Sequence, residues 1–186
     1  MAEMVKAPRI SVVSSSIAGT SRTRLMAKFC LGALSTLGVE ASLLDLATLE
    51  VRAYPRSEKD PAVEAACADF NAADGWVLAA PIYNFGASGA LLDFLHYALD
   101  NDLGRWKPFV LLAAQAGNRS TMALDHVART LTYEVSAVQV GSCITAVGDT
   151  SVHRGTGVIA DELQTRMTNQ MRVLAHFAAA RTQLDK

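Results

Sequence analysis

The chain has 186 residues, of which 51% are hydrophobic and 19% are charged, and its formal net charge is −1. This length fits one domain, which we predict to span residues 1–186, and it suffices to bury a sizeable core. The balanced charge and the high apolar content argue against a disordered chain and against a strongly basic nucleic-acid binder.

The cysteines and the first residues narrow the class of protein further. Cys30, Cys67 and Cys143 are far apart, with no Cys-x-x-Cys pair and no histidine at metal-ligand spacing, so we expect buried apolar side chains and no metal site. Residues 1–8 lack the apolar stretch of a signal peptide, and no apolar run approaches the roughly 18 residues that span a bilayer. These features predict a cytoplasmic protein with neither a membrane nor a nucleic acid as partner.

The first third of the chain alternates strand and helix patterns. Residues 10–13 form a short β-branched run, which is typical of a strand buried on both faces. Apolar residues recur at helical period over residues 25–37 and stop before Gly38, which indicates a helix with glycine at its C-terminal end. Residues 39–46 predict a second strand, and the prolines and charges that follow predict a surface loop.

The same alternation continues to the end of the chain. Asp60 is predicted to cap a helix that reaches Phe70, and residues 76–80 predict a third strand. Ser88 is predicted to cap a helix that ends near Leu99 and is apolar around most of its circumference, as expected for an element covered by the sheet and by a partner subunit. The remaining predicted elements are a strand at residues 108–114, a helix at 119–131, strand material at 135–147 that is broken at Gly141 and Ser142, and a long helix at 159–177.

Short buried strands that alternate with helices of about 10 to 18 residues predict a doubly wound parallel sheet, because parallel neighbours need crossover connections. Five strands in a chain of this size indicate a flavodoxin-like α/β fold with strand order 2-1-3-4-5 and helices on both faces. Such a sheet binds ligands outside the carboxyl ends of its strands. The loops after the first, third and fourth predicted strands are therefore the places to look for a site.

The loop after the first predicted strand has the composition of a phosphate site. It runs from three serines directly into a helix, whose N-terminus supplies unpaired N–H donors and partial positive charge. Hydroxyl and guanidinium groups add charge-assisted hydrogen bonds to a phosphate. The alternative is a serine-rich helix cap with solvated arginines. The candidate residues of this loop are Ser14, Ser15, Thr20, Ser21, Arg22 and Thr23.

Two well-known nucleotide-binding motifs are missing from this loop. No Gly-x-Gly-x-x-Gly follows the first predicted strand, and no Gly-Lys-Ser/Thr ends the loop. The sequence therefore argues against a dinucleotide-binding Rossmann site and a P-loop, and it leaves a monophosphate site lined by hydroxyl groups.

The loop after the third predicted strand could hold a flat ring. It places an aromatic side chain, an amide and small residues at the carboxyl end of a strand, and its glycines allow close approach to the backbone. Backbone N–H groups beside a flat redox cofactor would tune its electronics while the cofactor performs the hydride chemistry, so no catalytic side chain is required. The candidate residues are Pro81, Ile82, Tyr83, Asn84, Phe85 and Gly86.

The segment Pro81-Ile-Tyr-Asn, followed by Ser88-Gly-Ala-Leu-Leu, resembles the Pro-x-Tyr-Asn-x-x-x-x-Gly-x-Leu-Lys signature of the NADPH-dependent FMN reductase family. Within that family, Ala87 to Leu91 and the late Leu163-Gln-Thr-Arg stretch are most similar to the alkanesulfonate-type flavin reductases. The resemblance implies FMN as cofactor and NADPH or NADH as electron donor. It also implies that Gln115, Gly117 and Asn118, in the loop after the fourth predicted strand, border the pyrimidine edge of the flavin.

The sequence departs from the family pattern in the phosphate loop. Against the family's Gly-Ser-x-Arg-x-x-Ser pattern, Ser15 and Thr20 match the hydroxyl positions, but Ser14 replaces the glycine and Ile17 replaces the arginine. One phosphate counter-charge is therefore missing unless Arg22 or Arg24 supplies it. Leu92 and His96 replace a family lysine and a frequent aspartate, and we expect these two changes to affect a subunit interface.

The first functional hypothesis is an NAD(P)H-dependent FMN reductase that passes electrons to free flavin, a quinone, an azo compound or a similar small acceptor. The resemblance further implies a homodimer or homotetramer and, as a possible partner, a flavin-dependent monooxygenase. A second hypothesis is an FMN-binding electron carrier or binding module without nicotinamide turnover. Such carriers are usually strongly acidic, whereas this chain has 18 acidic and 17 basic residues. A third hypothesis is an interaction protein that has lost its flavin.

Overall fold

The computed structural model describes residues 7–55, 60–99, 105–117 and 122–184. Strands and helices alternate along the chain, as the sequence predicts. The strands are β1 (Arg9–Ser14), β2 (Glu40–Asp45), β3 (Gly75–Tyr83), β4 (Gly86–Ala87), β5 (Pro108–Gln115), β6 (Val138–Gln139) and β7 (Ile144–Val147). The helices are α1 (Arg22–Thr36), α2 (Pro61–Ala72), α3 (Gly89–Ala98), α4 (Asp125–Val135), α5 (Gly148–Ser151) and α6 (Asp161–Leu184).

The sheet confirms the predicted flavodoxin-like order. β2, β1, β3 and β5 are neighbours in that order and run parallel, and both β6 and β7 pair in parallel with β5 at the fifth position. The sheet has seven strands instead of the five predicted because the fifth strand is divided and because the two-residue β4 pairs antiparallel with the end of β3.

The division of the fifth strand follows from two extra residues in that segment. Pro108 of β5 pairs with Val138, whereas Leu112 pairs with Ile144, so four steps along β5 match six steps along its neighbour. Gly141 lies in the unpaired stretch with φ of 75°, which glycine adopts without strain. The predicted break at Gly141 and Ser142 is confirmed.

The core lies on both faces of the sheet, because successive side chains of a buried strand point in opposite directions. In β3, Val77 and Ala79 face the cluster formed with α1 and α6, whereas Trp76, Leu78 and Ala80 face the cluster formed with α2, α3 and α4. This arrangement explains why the strand is a continuous apolar run rather than an alternating one.

The sequence predicted two helix N-caps and one helix end at a glycine, and the structure tests all three. The Asp60 carboxylate accepts hydrogen bonds from the N–H groups of Ala62 and Val63, and α1 ends before Gly38, whose φ is 73°. Ser88 is the N-cap residue of α3, as predicted, but its hydroxyl makes no capping bond to that helix. The hydroxyl bonds to Ser15 instead.

The described residues also correct the prediction for the cysteines. Cys30 is fully buried, and burial raises the pKa of its thiol to about 12. Cys67 and Cys143 are only partly buried. The start of the helix predicted at residues 119–131 lies outside the described residues, and α4 begins at Asp125. None of the described helices combines the length and the apolarity needed to span a bilayer.

Candidate functional site

Four connecting segments meet at the carboxyl edge of the sheet. The first loop, residues 15–21, is joined to β3 by a hydrogen bond of 3.0 Å from the N–H of Ser15 to the carbonyl of Ala79. The end of β3 pairs with β5, with Pro81 opposite Ala114. A Cβ placed on Gly148, at the end of β7, would lie 3.6 Å from the carbonyl oxygen of Ala116. The loops that were predicted to form the site therefore lie along one continuous edge of the sheet.

The first loop presents a row of backbone donors. Within the described residues, none of the N–H groups of residues 16–23 donates a hydrogen bond, and Ile17, Ala18, Gly19 and Thr20 are exposed. Ser21 ends the loop as the N-cap of α1 and accepts a hydrogen bond of 3.2 Å from the N–H of Arg24. Successive unpaired N–H groups that lead into a helix form an anion-binding concavity.

Arg24 fixes the shape of the first loop. Its guanidinium donates to the carbonyl oxygens of Ser16, Ala18 and Gly19 at 2.9–3.1 Å. The same group donates to the Asp45 carboxylate, with Nε–Oδ2 of 2.5 Å, and both side chains are 17% exposed. Because the guanidinium engages the loop carbonyls, the N–H groups are left free for a ligand.

Arg22 does not bind the first loop but the segment that follows β7. Its Nε donates to the carbonyl of Val152 at 3.1 Å, and its Nη2 lies 2.8 Å from the Asp149 carboxylate. The N–H of Arg154 and then the Arg22 guanidinium lower the pKa of Asp149. Arg22 therefore links the start of α1 to the segment after β7 instead of extending a free positive charge toward the first loop.

The neighbouring serines at the end of β1 have opposite environments. Ser14 is fully buried and its Oγ has no hydrogen-bond partner within the described part of the chain. The hydroxyl of Ser15 donates to the carbonyl of Ala79 at 3.1 Å, and the hydroxyl of Ser88 approaches its Oγ to 2.9 Å. In this structure Ser15 joins the first loop to β3 and α3, and whether it also contacts a phosphate stays a prediction.

Alanine substitutions at these two serines are expected to change stability in opposite directions. Ser14→Ala removes a buried hydroxyl without a partner and should raise the free energy of unfolding of the flavin-free protein by about 1 kcal/mol. Ser15→Ala removes two hydrogen bonds and should lower it by about 1 kcal/mol. Urea unfolding measures both variants, and a Ser14→Ala variant less stable than wild type would contradict this account.

β3 extends through Tyr83, beyond the predicted strand end at Ala80, and forms a tight hairpin with β4. Ile82 and Tyr83 pair with Ala87 and Gly86 of β4 across a two-residue turn. The turn residues Asn84 and Phe85 have φ of 48° and 65°, and positive φ at both positions is the mark of a type I′ turn. Phenylalanine is strained there, and such strain is concentrated at functional sites. The turn leaves Tyr83 and Phe85 54% and 65% exposed.

The last residue of β5 contributes a second buried polar atom without a partner among the described residues. Gln115, opposite Val147 in the sheet, is 6% exposed, and its Oε1 accepts no hydrogen bond from the described residues. Gly117 is exposed two residues further on. Asn118, predicted to belong to the same site, lies outside the described residues.

Some of the predicted site residues are buried and others are exposed. Pro81 is buried in β3, Thr23 is buried in the first turn of α1, and Ile82 and Gly86 are partly buried at the hairpin. The exposed members are Thr20, Tyr83, Asn84, Phe85 and Gly117. The structure brings the described candidates to one edge of the sheet.

Sequence reasoning missed Asp45 and Asp149, the two carboxylates that engage the arginines. Asp45 ends β2 beside the end of β1, with Ser14 as its register partner. A charged residue at the carboxyl end of a predicted strand next to the phosphate loop is a signal that could have identified Asp45. Asp149 carries no such local signal.

Comparison with known proteins places the chain in a family. Residues 8–151 match the NADPH-dependent FMN reductase family, and no curated protein matches the chain. The fold is similar to an apo NADH:FMN oxidoreductase (EMOB), with a TM-score of 0.76, 20% identity and coverage of 93% of this chain and 89% of that chain. It is also similar to an oxidoreductase from Corynebacterium diphtheriae, with a TM-score of 0.73, 21% identity and coverage of 93% and 97%.

A flavodoxin from Streptococcus pneumonia has a TM-score of 0.65 and 17% identity, with coverage of 90% of this chain and 98% of that chain. These structural likenesses establish the flavodoxin-like fold, and the family match adds the chemistry. The chain therefore belongs to the NADPH-dependent FMN reductase family, and it is an NAD(P)H-dependent flavin oxidoreductase whose cofactors are FMN and NAD(P)H.

Proposed function

We propose that this protein binds FMN at the carboxyl edge of its sheet and passes electrons from NAD(P)H to free flavin, a quinone, an azo compound or a similar small acceptor. The observation that carries the proposal is that the unpaired backbone donors of the first loop and the exposed aromatic hairpin lie at the ends of two neighbouring parallel strands, β1 and β3. One end of this edge suits an anion and the other suits a flat ring.

The residues present fit FMN. The free N–H groups of residues 16–23 suit its phosphate, and the unpaired Oε1 of Gln115 can accept a hydrogen bond from a ring N–H. Tyr83 and Phe85 offer exposed aromatic surface to the ring system. The backbone donors and the glutamine oxygen have no partner among the described residues, and one ligand carries groups that match both.

The side chains of the site bind and orient, whereas FMN when bound supplies the two-electron chemistry between nicotinamide and acceptor. Arg24 holds the loop carbonyls so that the N–H groups stay available, and Ser15 holds the first loop against β3 and α3. The hairpin holds Tyr83 and Phe85 outside the core. The proposed electron transfer uses none of the described side chains as an acid or a base.

The strained turn offers a test of the ring end of the site. Phe85→Gly is expected to raise the free energy of unfolding by about 0.5–1 kcal/mol, because glycine adopts positive φ without strain. The same change should weaken FMN binding about tenfold, because it removes an aromatic contact with the ring. Chemical unfolding and flavin fluorescence titration measure the two effects.

The matched control for Phe85→Gly is Phe177→Ala, which removes a side chain that is 51% exposed on α6. It should leave FMN affinity unchanged. Equal FMN affinity in the wild type and the Phe85→Gly variant would contradict the assignment of Phe85 to the ring site.

An anaerobic titration with FMN and then NADPH tests the proposed function, followed by a panel of free flavin, quinones, azo dyes and chromate as acceptors. We expect FMN binding, bleaching of the flavin absorbance by NADPH and turnover with at least one acceptor. The absence of any flavin binding would contradict the proposed function. Flavin binding without any nicotinamide turnover would favour the electron carrier instead.

The proposal includes self-association of the protein into a dimer or a tetramer. In the structure, Tyr54 covers part of the outer side of α3, where its ring stacks on His96 at 5.3 Å between ring centroids and meets Tyr97 edge-on at 5.2 Å. Leu92 remains partly exposed on that helix. Light scattering measures the oligomeric state, and a monomer at micromolar concentration would contradict the proposal.

The likeness of Ala87 to Leu91 to the alkanesulfonate-type reductases supports a narrower proposal, in which reduced flavin is handed to a flavin-dependent monooxygenase. A cytoplasmic location and a single domain over residues 1–186 stay predictions. Coupled assays with a monooxygenase, in which reduced flavin is consumed by hydroxylation, test the narrower proposal.

A further inference from the structure

Ile17 occupies the position at which the family pattern has an arginine, and it is 70% exposed in the first loop. An apolar side chain in this position neither donates a hydrogen bond nor neutralises charge. If the phosphate of FMN lies in this loop, as the proposed function has it, a neighbouring arginine would have to supply the missing charge.

Neither arginine at the start of α1 is available for that task. The Arg24 guanidinium is shared between the Asp45 carboxylate and three loop carbonyls, and it is only 17% exposed. The Arg22 side chain is 15% exposed and is paired with Asp149. Turning Arg24 toward a phosphate would break its bonds and leave the Asp45 carboxylate without an arginine partner. Turning Arg22 away would leave Asp149 with Arg154 alone.

Arg154, which follows β7, is bound to the same Asp149 carboxylate through its N–H and, at 3.5 Å, through its Nε. Within the described first loop and the start of α1, the donors that remain are neutral. They are the backbone N–H groups of residues 16–23, with the partial positive charge of the α1 N-terminus, and the exposed hydroxyl of Thr20. The chain as a whole carries a net charge of −1, so it adds little long-range attraction for an anion. Neutral hydrogen bonds are much less sensitive to ionic strength than exposed pairs of full charges.

We infer that the flavin phosphate is held without a protein counter-charge, and that position 17 thereby sets both the strength and the salt dependence of FMN binding. This inference rests on the proposed function, because it assumes that FMN uses the first loop. Isoleucine makes FMN binding weaker than it would be with arginine and almost independent of salt.

The experiment compares FMN with riboflavin, which has the same ring and ribityl chain but no phosphate. Dissociation constants are measured by quenching of flavin fluorescence at ionic strengths of about 0.01 M and about 1 M, where the Debye lengths are about 30 Å and 3 Å. For the wild type, the ratio of the FMN and riboflavin constants should change by less than about threefold between these conditions.

The decisive variant is Ile17→Arg, with Ile17→Gln as a matched control that adds hydrogen-bonding capacity without charge. At low salt, Ile17→Arg should tighten FMN binding roughly five- to tenfold and leave riboflavin binding unchanged. At about 1 M salt the gain should fall below about twofold. Ile17→Gln should show no salt-dependent gain. Because Ile17 is exposed, both variants should keep the wild-type melting temperature.

The outcomes distinguish a failure of the proposed function from a failure of this inference alone. If neither flavin binds, the proposed function fails. If both flavins bind but the wild-type preference for FMN falls by more than about threefold at high salt, a cation does hold the phosphate and only this inference is overturned. An Ile17→Arg variant that folds normally but gains no FMN affinity at low salt overturns it as well.

Discussion

Replacing Arg24 with alanine is expected to lower the free energy of unfolding by about 2–4 kcal/mol, because it removes charge-assisted hydrogen bonds and leaves a partly buried carboxylate unpaired. The lost partners are Asp45 and the carbonyls of Ser16, Ala18 and Gly19. The free carbonyls should then reorient the first loop, so FMN affinity should fall by at least about tenfold. Urea unfolding and flavin titration measure the two effects.

Lys28→Ala is the matched control for Arg24→Ala. Lys28 lies one turn further along the exposed side of α1, so its substitution removes the same charge without touching the loop. Arg24→Lys keeps the charge but not the planar fork of donors, and it should recover only part of the lost stability. If a folded Arg24→Ala variant binds FMN as tightly as wild type, Arg24 does not organise the loop.

The second large effect is expected in the core beneath α3. Phe70→Ala should lower the free energy of unfolding by about 3–5 kcal/mol, because it leaves a cavity among rigid aromatic neighbours. Phe70 stacks on Trp76 with 4.5 Å between ring centroids and meets Phe94 edge-on at 5.5 Å. All three side chains are fully buried. Urea unfolding of the flavin-free protein measures the change.

Tyr133→Ala serves as the control for the core substitution. Tyr133 is 84% exposed on α4, so removing it should change the free energy of unfolding by less than about 0.5 kcal/mol. Phe70→Leu keeps most of the apolar volume and should lose less stability than Phe70→Ala. A loss below about 1 kcal/mol in Phe70→Ala would mean that the three-ring cluster contributes little to stability.

The fold could be predicted from the sequence because its signals are local. A strand buried on both faces is a continuous apolar run, as at Trp76 to Ala80, and a helix repeats apolar residues with its own period, as from Leu163 to Leu174. The glycine at position 141 even marked the division of the fifth strand. Alternation of strands and helices then restricts the sheet to a few topologies.

The hairpin at Asn84 and Phe85 could not be predicted in the same way. Type I′ turns are usually marked by pairs such as Asn-Gly, and phenylalanine disfavours positive φ. The sequence therefore indicated an open loop at this point, whereas the structure has a tight turn that exposes two aromatic rings. Strain of this kind is imposed by the surroundings and has no local sequence signal.

The sequence by itself determined the order of the elements, the parallel sheet and the motif from Pro81 to Gly89. Only the tertiary structure decided which charged side chains are paired, because ion-pair partners depend on which strand ends become neighbours. Arg24 meets Asp45 at the end of the adjacent strand, and Arg22 meets Asp149 from a segment 127 residues away. From the sequence these arginines could have held a phosphate, whereas in the fold one shapes the first loop and the other anchors it.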